Sequence, residues 1–331
     1  MAKEKTATAP RQPGPGLQPW VLRLAVLCGL AIPAQAIAAQ AFDVQGHRGA
    51  RAVAPENTLA GFRAALAAGA TTWELDTGLT RDGVVVVMHD RRLNPDTTRG
   101  PDGAWIVAPG PTLASLTLDE LRAYDVGRLR AGSRYAGLWP AQRAIDGERV
   151  PTLDDVFELA RRDAPASLRF NIETKLSPLA PDETASPQAL VDALLSVIDR
   201  HGLRERVTVQ SFDWRTLALV QRRAPGVATA ALSSQQPGLD TIASGAWTAG
   251  LDLAAHAGSV PRLVKTLGAT IWSPNFRDLT PQRLAEARAL GLRVIPWTVN
   301  EPADIERLIA WGVDGLISDD PALVLRVLKK R

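Results

Sequence analysis

The chain has almost no sulfur chemistry. A single cysteine, Cys28, stands among 331 residues, and it lies in a leader expected to be removed. The mature chain then has no disulfide and no thiol chemistry. Histidine is scarce too, with four in all: His47, His89, His201 and His256. The apolar run Leu24 to Ala39 is short for a membrane span. It follows Lys3, Lys5, Arg11 and Arg23, opposed only by Glu4, and ends at the small-x-small pattern Ala39-Gln40-Ala41. Residues 1–41 therefore read as a secretory signal peptide with a long basic region. The other reading is an uncleaved anchor. Ala25-Val26-Leu27 before Cys28 fits a lipoprotein attachment site poorly.

Strong charge of either sign is also missing. Residues 1–41 hold four of the 38 basic residues and one of the 35 acidic ones, so removing them leaves 34 of each. The basic character belongs mostly to the leader, and nothing points to a nucleic-acid partner. The expectation is a periplasmic or secreted protein with no stable membrane insertion after cleavage. The oligomeric state is not legible.

What remains is ordinary in composition, 46% apolar and 22% charged, with enough chain for one large core. After Pro151 strands and helices alternate regularly, which implies parallel pairing and right-handed crossovers. Strands are expected to end near His47, Asp76, Lys175, Phe212, Leu232, Ser273, Val299 and Ser318. Thr80-Arg81-Asp82-Gly83 is a short-turn signal, so Val84–Asp90 folds back on the second strand as an antiparallel arm. Eight βα units close into a (β/α)8 barrel over residues 42–331. Periodicity alone leaves a doubly wound open sheet as the rival. Residues 91–150 are rich in Pro and Gly, with one helix expected at Leu118–Tyr124, and read as an insertion capping the mouth. A helical patch is expected around Gly238–Ala246.

The chemistry-bearing residues fall at strand ends. Glu74 and Asp76 lie two apart in a strand and so share a face. Paired carboxylates there repel each other unless a cation sits between them, and hard oxygen ligands suit Mg2+ or Ca2+. His47-Arg48-Gly49, Pro55-Glu56-Asn57-Thr58, Glu74-x-Asp76 and His89-Asp90 resemble the signature of the glycerophosphodiester phosphodiesterase family. Glu173-Thr174-Lys175, Gln210-Ser211-Phe212, Trp297-Thr298-Val299-Asn300 and Asp314-Gly315 to Asp319 follow in the same order. The resemblance spans Gly46 to Pro321 and favours the barrel over the open sheet.

That resemblance implies metal-dependent hydrolysis of glycerophosphodiesters, small molecules such as glycerophosphocholine and glycerophosphoethanolamine. The products would be sn-glycerol 3-phosphate and an alcohol. Glu74, Asp76 and Glu173 would hold one divalent cation, Ca2+ or Mg2+. His47 and His89 would be general base and general acid, with Arg48 and Lys175 on the phosphate oxygens. His47 and Arg48 are adjacent, and both can serve only if the strand ends there, which Gly49 permits. Asn57 or Thr58 caps the first helix, Asn57 being more a cap than a phosphate ligand. Gln210 either reaches the site or fills the barrel. Trp297 and Trp272 are candidates for an apolar wall around the alcohol. Asp319 reads as a cap for the last helix. The rivals are a lysophospholipase D-like enzyme and a protein that binds phosphodiesters without turnover.

Overall fold

The alternation resolves into eight βα units. The computed structural model describes residues 42–330, with residues 6, 8–10 and 12 ahead of them. The expected signal segment lies almost wholly outside the described residues. Residues 41–331 form one unit by themselves. Among the described residues no helix is long and apolar enough to cross a membrane.

The parallel strands are β1 (Asp43–Gly46), β2 (Thr72–Leu79), β3 (Arg169–Thr174), β4 (Val207–Ser211), β5 (Ala228–Ser233), β6 (Ile271–Pro274), β7 (Arg293–Val294) and β8 (Gly315–Ser318). Their order is β7-β6-β5-β4-β3-β2-β1-β8. The ring is completed by Asp314 N–H donating to Val294 O at 2.9 Å and Ile317 N–H to Pro296 O at 3.0 Å. Pro296 has no N–H, so the expected strand Leu292–Val299 shrinks to two residues of regular ladder. A nearly closed barrel results, with a helix following each strand.

Side-chain parity splits each barrel strand between two environments. Trp73, Leu75, Phe170, Ile172, Val207 and Val209 point outward and pack under the helices. Their inward neighbours differ around the ring. On one side Ala230, Ile271, Ile295 and Ile317 make a small apolar cluster inside the barrel. On the other the inward residues are Thr72, Glu74, Asp76, Asn171, Glu173 and Gln210, all buried and polar. Trp272 follows the outward parity of β6 and is buried in the strand–helix layer. Its expected place in an apolar wall is therefore wrong.

The arm after β2 pairs Val85–Val87 with Thr77–Leu79. It carries the insertion, whose Leu93, Leu113, Leu121 and Val150 pack on Val86 and Met88 of the arm. The insertion holds two short helices, Leu118–Arg122 and Arg134–Leu138, where one was expected. The helical patch expected around Gly238–Ala246 does not form. Gln235–Gln236 pairs with Leu239–Asp240 across Gly238 at φ 80°. The Asp240 carboxylate then accepts from the Ile242 and Ala243 amides and fixes a turn.

β1 stops at Gly46 because the chain turns sharply. Arg48 and Gly49 both take positive φ, 53° and 88°, and the Gly49 amide donates to Gly46 O at 3.1 Å. A Cβ on Gly49 would sit 2.6 Å from the Gly61 carbonyl carbon. Gly49→Ala should lose roughly 2–4 kcal/mol, combining left-handed strain with backbone overlap. Urea denaturation of the variant checks this.

Candidate active site

Strand register places three carboxylates together. Glu74 and Asp76 share the inward face of β2, and Asp76 pairs across the ladder with Glu173 of β3. One oxygen from each lies within 4.8 Å of the other two, in a buried cluster. Asp76 Oδ1 is buried with no hydrogen-bond partner among the described residues. A buried carboxylate oxygen without a donor is costly, and a hard divalent cation would satisfy it. The residues present fit such an ion.

Each carboxylate is also held from the side. The Arg48 amide donates to Glu74 Oε2 at 2.8 Å, a contact that the turned backbone at residues 48–49 makes available. Gln210 Nε2 donates to Glu74 Oε1 at 2.7 Å. The Gln210 carbonyl in turn accepts from Asn171 Nδ2 at 2.9 Å, and the same Nδ2 donates to Gln45 Oε1 at 2.7 Å. Gln210 thus does both things expected of it: it fills the barrel and reaches the site. Asn57 donates to Asp76 Oδ2 at 2.9 Å. Its expected cap role belongs instead to Thr58, whose side chain accepts from Gly61 N–H. Asn57 sits at φ 53°, a left-handed position that asparagine tolerates.

The cations stand on the same floor. Lys175 Nζ is 2.9 Å from Glu173 and 3.6 Å from Asp76. Arg48 Nε is 3.4 Å from Asp76, while its Nη1 donates to Glu56 at 2.8 Å. Burial and repulsion by Asp76 push the Glu74 carboxyl well above the usual range. Burial pushes Glu173 up to about 7, against the pull of Lys175. Asp76 goes the other way: burial opposes its charge, but His89, Lys175 and Arg48 hold it ionised far below the usual range. Of the three, Asp76 is the one held charged across the neutral range, while Glu173 titrates within it.

Two imidazoles flank this floor, each tethered through Nδ1. His89 lies past the end of the arm, where Met88 N–H donates to Asp76 O at 2.9 Å. This brings His89 over the carboxylates. Its Nδ1 donates to Asp90 at 2.6 Å, and Asp90 also accepts from Asn94 at 2.8 Å. His47 Nδ1 donates to Asp319 at 2.6 Å. In both rings Nε2 is left for chemistry. Sequence reasoning gave Asp319 the wrong task. Asp320 caps the last helix, accepting from Leu323 N–H, whereas buried Asp319 accepts from His47, Arg51 and Asn300. Pro321 at the first helical position was the available signal, since the cap is the residue before it.

Burial and the Arg51 charge lower the His47 pKa to about 4. Burial, Arg48 and Lys175 lower that of His89. The cavity above measures about 710 Å³ and is lined by His47, Arg48, Glu74, His89, Glu173, Lys175 and Gln210. Trp297 stands in its wall, edge-on to Phe212 at 5.2 Å. His201 and His256 lie elsewhere, on Asp154 and on Asp252 and Thr266.

A (β/α)8 barrel with acids, imidazoles and cations at the C-terminal strand ends belongs to the barrel enzymes that work at that mouth. The particular family follows from comparison with known proteins. The model of the "Glycerophosphoryl diester phosphodiesterase family" matches residues 47–323. The chain belongs to that family, and its activity is that of a glycerophosphodiester phosphodiesterase, a phosphoric diester hydrolase. It is 31% identical over 287 residues to a glycerophosphodiester phosphodiesterase of Caldanaerobacter subterraneus subsp. tengcongensis, covering 87% of this chain and 98% of that one. A solved Silicibacter pomeroyi structure assigned as a glycerophosphoryl diester phosphodiesterase superposes with a TM-score of 0.79 at 37% identity, over 87% and 93% of the two chains. An Oleispira antarctica phosphodiesterase solved with sn-glycerol-3-phosphate shares the fold, with a TM-score of 0.63 at 23% identity over 87% and 96%.

Arg51→Gln removes a positive neighbour and frees Asp319 to stabilise the imidazolium, so the His47 pKa should rise from about 4 toward the usual 6.5. An NMR titration of the ring protons reads this directly.

Proposed function

We propose that the enzyme hydrolyses small glycerophosphodiesters, such as glycerophosphocholine and glycerophosphoethanolamine, to sn-glycerol 3-phosphate and the free alcohol, using one divalent cation and two histidines. The observation that carries this reading is the shared mouth. The acidic cluster, both tethered imidazoles, Arg48 and Lys175 line or floor one cavity.

Glu74, Asp76 and Glu173 would hold the ion, Ca2+ or Mg2+, which when bound neutralises phosphate charge and polarises a phosphoryl oxygen. Arg48 and Lys175 bind the non-bridging oxygens, Arg48 through its planar fork. His47, kept neutral by burial and Arg51, takes the proton from the attacking oxygen at Nε2. The attacking group is water, or the 2-hydroxyl of the substrate glycerol, which gives a cyclic phosphate that water then opens to sn-glycerol 3-phosphate. His89 gives a proton from Nε2 to the leaving alkoxide, Asp76 and Asp90 offsetting in part the burial, Arg48 and Lys175 that lower its pKa. One proton is taken and one given for each P–O bond cleaved, and solvent resets the pair.

The polar side of the mouth favours a small substrate over an acylated one. Arg91 and Arg92 line it and both engage Glu183, at 3.0 and 2.9 Å. A lysophospholipid chain leaving on that side would have to cross these charges. Retention of two tethered proton-transfer groups favours turnover over simple capture. The leader supports export to the periplasm or medium.

His47→Ala and His89→Ala should each abolish release of glycerol phosphate from glycerophosphocholine while the thermal midpoint stays nearly unchanged. Excess EDTA should do the same reversibly. A large loss of stability in both variants would make these rings core residues instead. Because the Glu74 and Glu173 carboxyls are both pushed upward, Glu173 to about 7, cation binding should release protons and strengthen as pH rises from about 6 to about 8. Calorimetric titrations in buffers of different ionisation enthalpy measure this, and pH-independent affinity would refute it.

A further inference from the structure

The short helix Arg134–Leu138 lies in the insertion, yet its neighbourhood reaches the floor of the site. Tyr135 O–H donates to Glu56, and Arg51 Nη1 donates to the Tyr135 oxygen at 3.3 Å. The Arg51 guanidinium lies over the Trp139 ring, 4.4 Å from its centroid. Gln142 Nε2 donates to Arg51 O at 2.8 Å, and the Arg143 amide to Val53 O at 3.1 Å. A single stretch of the insertion therefore grips Arg51 by side chain, ring face and backbone.

Both ends of this grip lead to reacting groups. Glu56 holds Arg48 Nη1 at 2.8 Å. Arg51 Nε holds Asp319 Oδ1 at 2.8 Å, the oxygen that His47 Nδ1 also uses. Two guanidiniums, Arg48 and Arg51, are buried close enough to repel each other. Glu56 sits between them, and Tyr135 fixes its second oxygen. That hydroxyl bonds the same Glu56 oxygen that lies 3.7 Å from Arg51 Nη1, and so fixes how the carboxylate is divided between the two arginines. Trp139 adds an independent sign. Its Nε1 is buried with no hydrogen-bond partner among the described residues. An orphaned indole N–H costs stability, so the ring is placed there for its face, which stacks on Arg51.

We propose that Tyr135 and Trp139 are positioning residues for the reaction: the insertion uses them to set Arg48 through Glu56, and His47 through Arg51 and Asp319. Neither lines the cavity, so both act through Arg51 and Glu56. The proposal rests on the roles given above to His47 and Arg48. Misplacing a phosphate ligand and a proton acceptor together affects the transition state more than ground-state binding. The loss should therefore fall on kcat.

The experiment compares Tyr135→Phe, Trp139→Leu and Trp139→Phe with wild type on glycerophosphocholine at saturating Mg2+, with thermal midpoints measured alongside. Tyr135→Phe should lower kcat about tenfold or more with KM within about threefold and the midpoint within a few degrees. Trp139→Leu should lose kcat similarly, and Trp139→Phe, which keeps a ring under the guanidinium, should recover at least half of that loss. If Tyr135→Phe and Trp139→Leu both keep kcat within twofold of wild type, the proposal fails. It fails equally if kcat falls only in step with the midpoint, or if Trp139→Phe is as impaired as Trp139→Leu. His47→Ala and Arg48→Gln serve as controls. Should they retain turnover, the reading of the site itself is wrong. If they lose it while Tyr135→Phe and Trp139→Leu do not, only the present inference falls.

Discussion

Three acids buried side by side are the constraint that organises this protein. Glu74, Asp76 and Glu173 cannot all be ionised in a dry cluster without compensation. The surroundings answer with Arg48, Lys175 and a short array of donors: the Arg48 amide, Asn57 and Gln210. Even so, Asp76 Oδ1 has no hydrogen bond among the described residues, only Lys175 Nζ at 3.6 Å. The cluster therefore keeps a coordination deficit that a divalent ion would fill. Groups that look like local structure, such as the left-handed turn at Arg48-Gly49 or the asparagine before the first helix, are there because of that deficit. Each aims a donor at an acid.

The barrel makes this possible by being asymmetric inside. One side is closed by Ala230, Ile271, Ile295 and Ile317. The opposite side is filled by amides and hydroxyls that bond one another from Asp43 through Gln45, Asn171 and Gln210 to Glu74. A polar interior is tolerable because its members supply one another with most of their partners, although the Asn171 carbonyl oxygen is left without one among the described residues. The amide of Gln210 is held in one sense: its carbonyl accepts from Asn171, so its NH2 must face the acid. The apolar half and the outer layer under the helices supply the burial that makes these hydrogen bonds count.

Local rules were enough for much of this, and they failed where a neighbouring strand decided the outcome. The pairing of Glu74 with Asp76 follows from strand parity alone, and the hairpin after Leu79 from Asp-Gly. The adjacency of Glu173 to Asp76 needs the register of β2 and β3, which no single-strand pattern contains. Trp272 was misplaced for the same reason: a tryptophan at a strand end can face the mouth or the helices, and only its pairing with Ala231 fixes which. Asn57 and Thr58 are both good caps, and the choice was made by Asp76, distant in sequence. Residues 238–246 failed because Gly238 and Asp240 favour turns more strongly than the flanking apolar residues favour a helix. Tyr135 and Trp139 carried no signal, since their partners lie about eighty residues back in the chain.

The two imidazoles show how one residue type is given two characters. Each is tethered through Nδ1 to a carboxylate, yet the carboxylates are not equivalent. Asp319 is shared among His47, Arg51 and Asn300, so much of its charge is spent before it can favour an imidazolium. Asp90 accepts from His89 and Asn94, and Asp76 stands nearby as a second negative group for His89, against the pull of Arg48 and Lys175. Environments that push like groups apart are how an enzyme assigns acid and base. In the proposed chemistry Arg51 adds to burial in lowering the His47 pKa, and Arg51 is held by the insertion. The segment that shapes the mouth would then also decide which histidine accepts the proton.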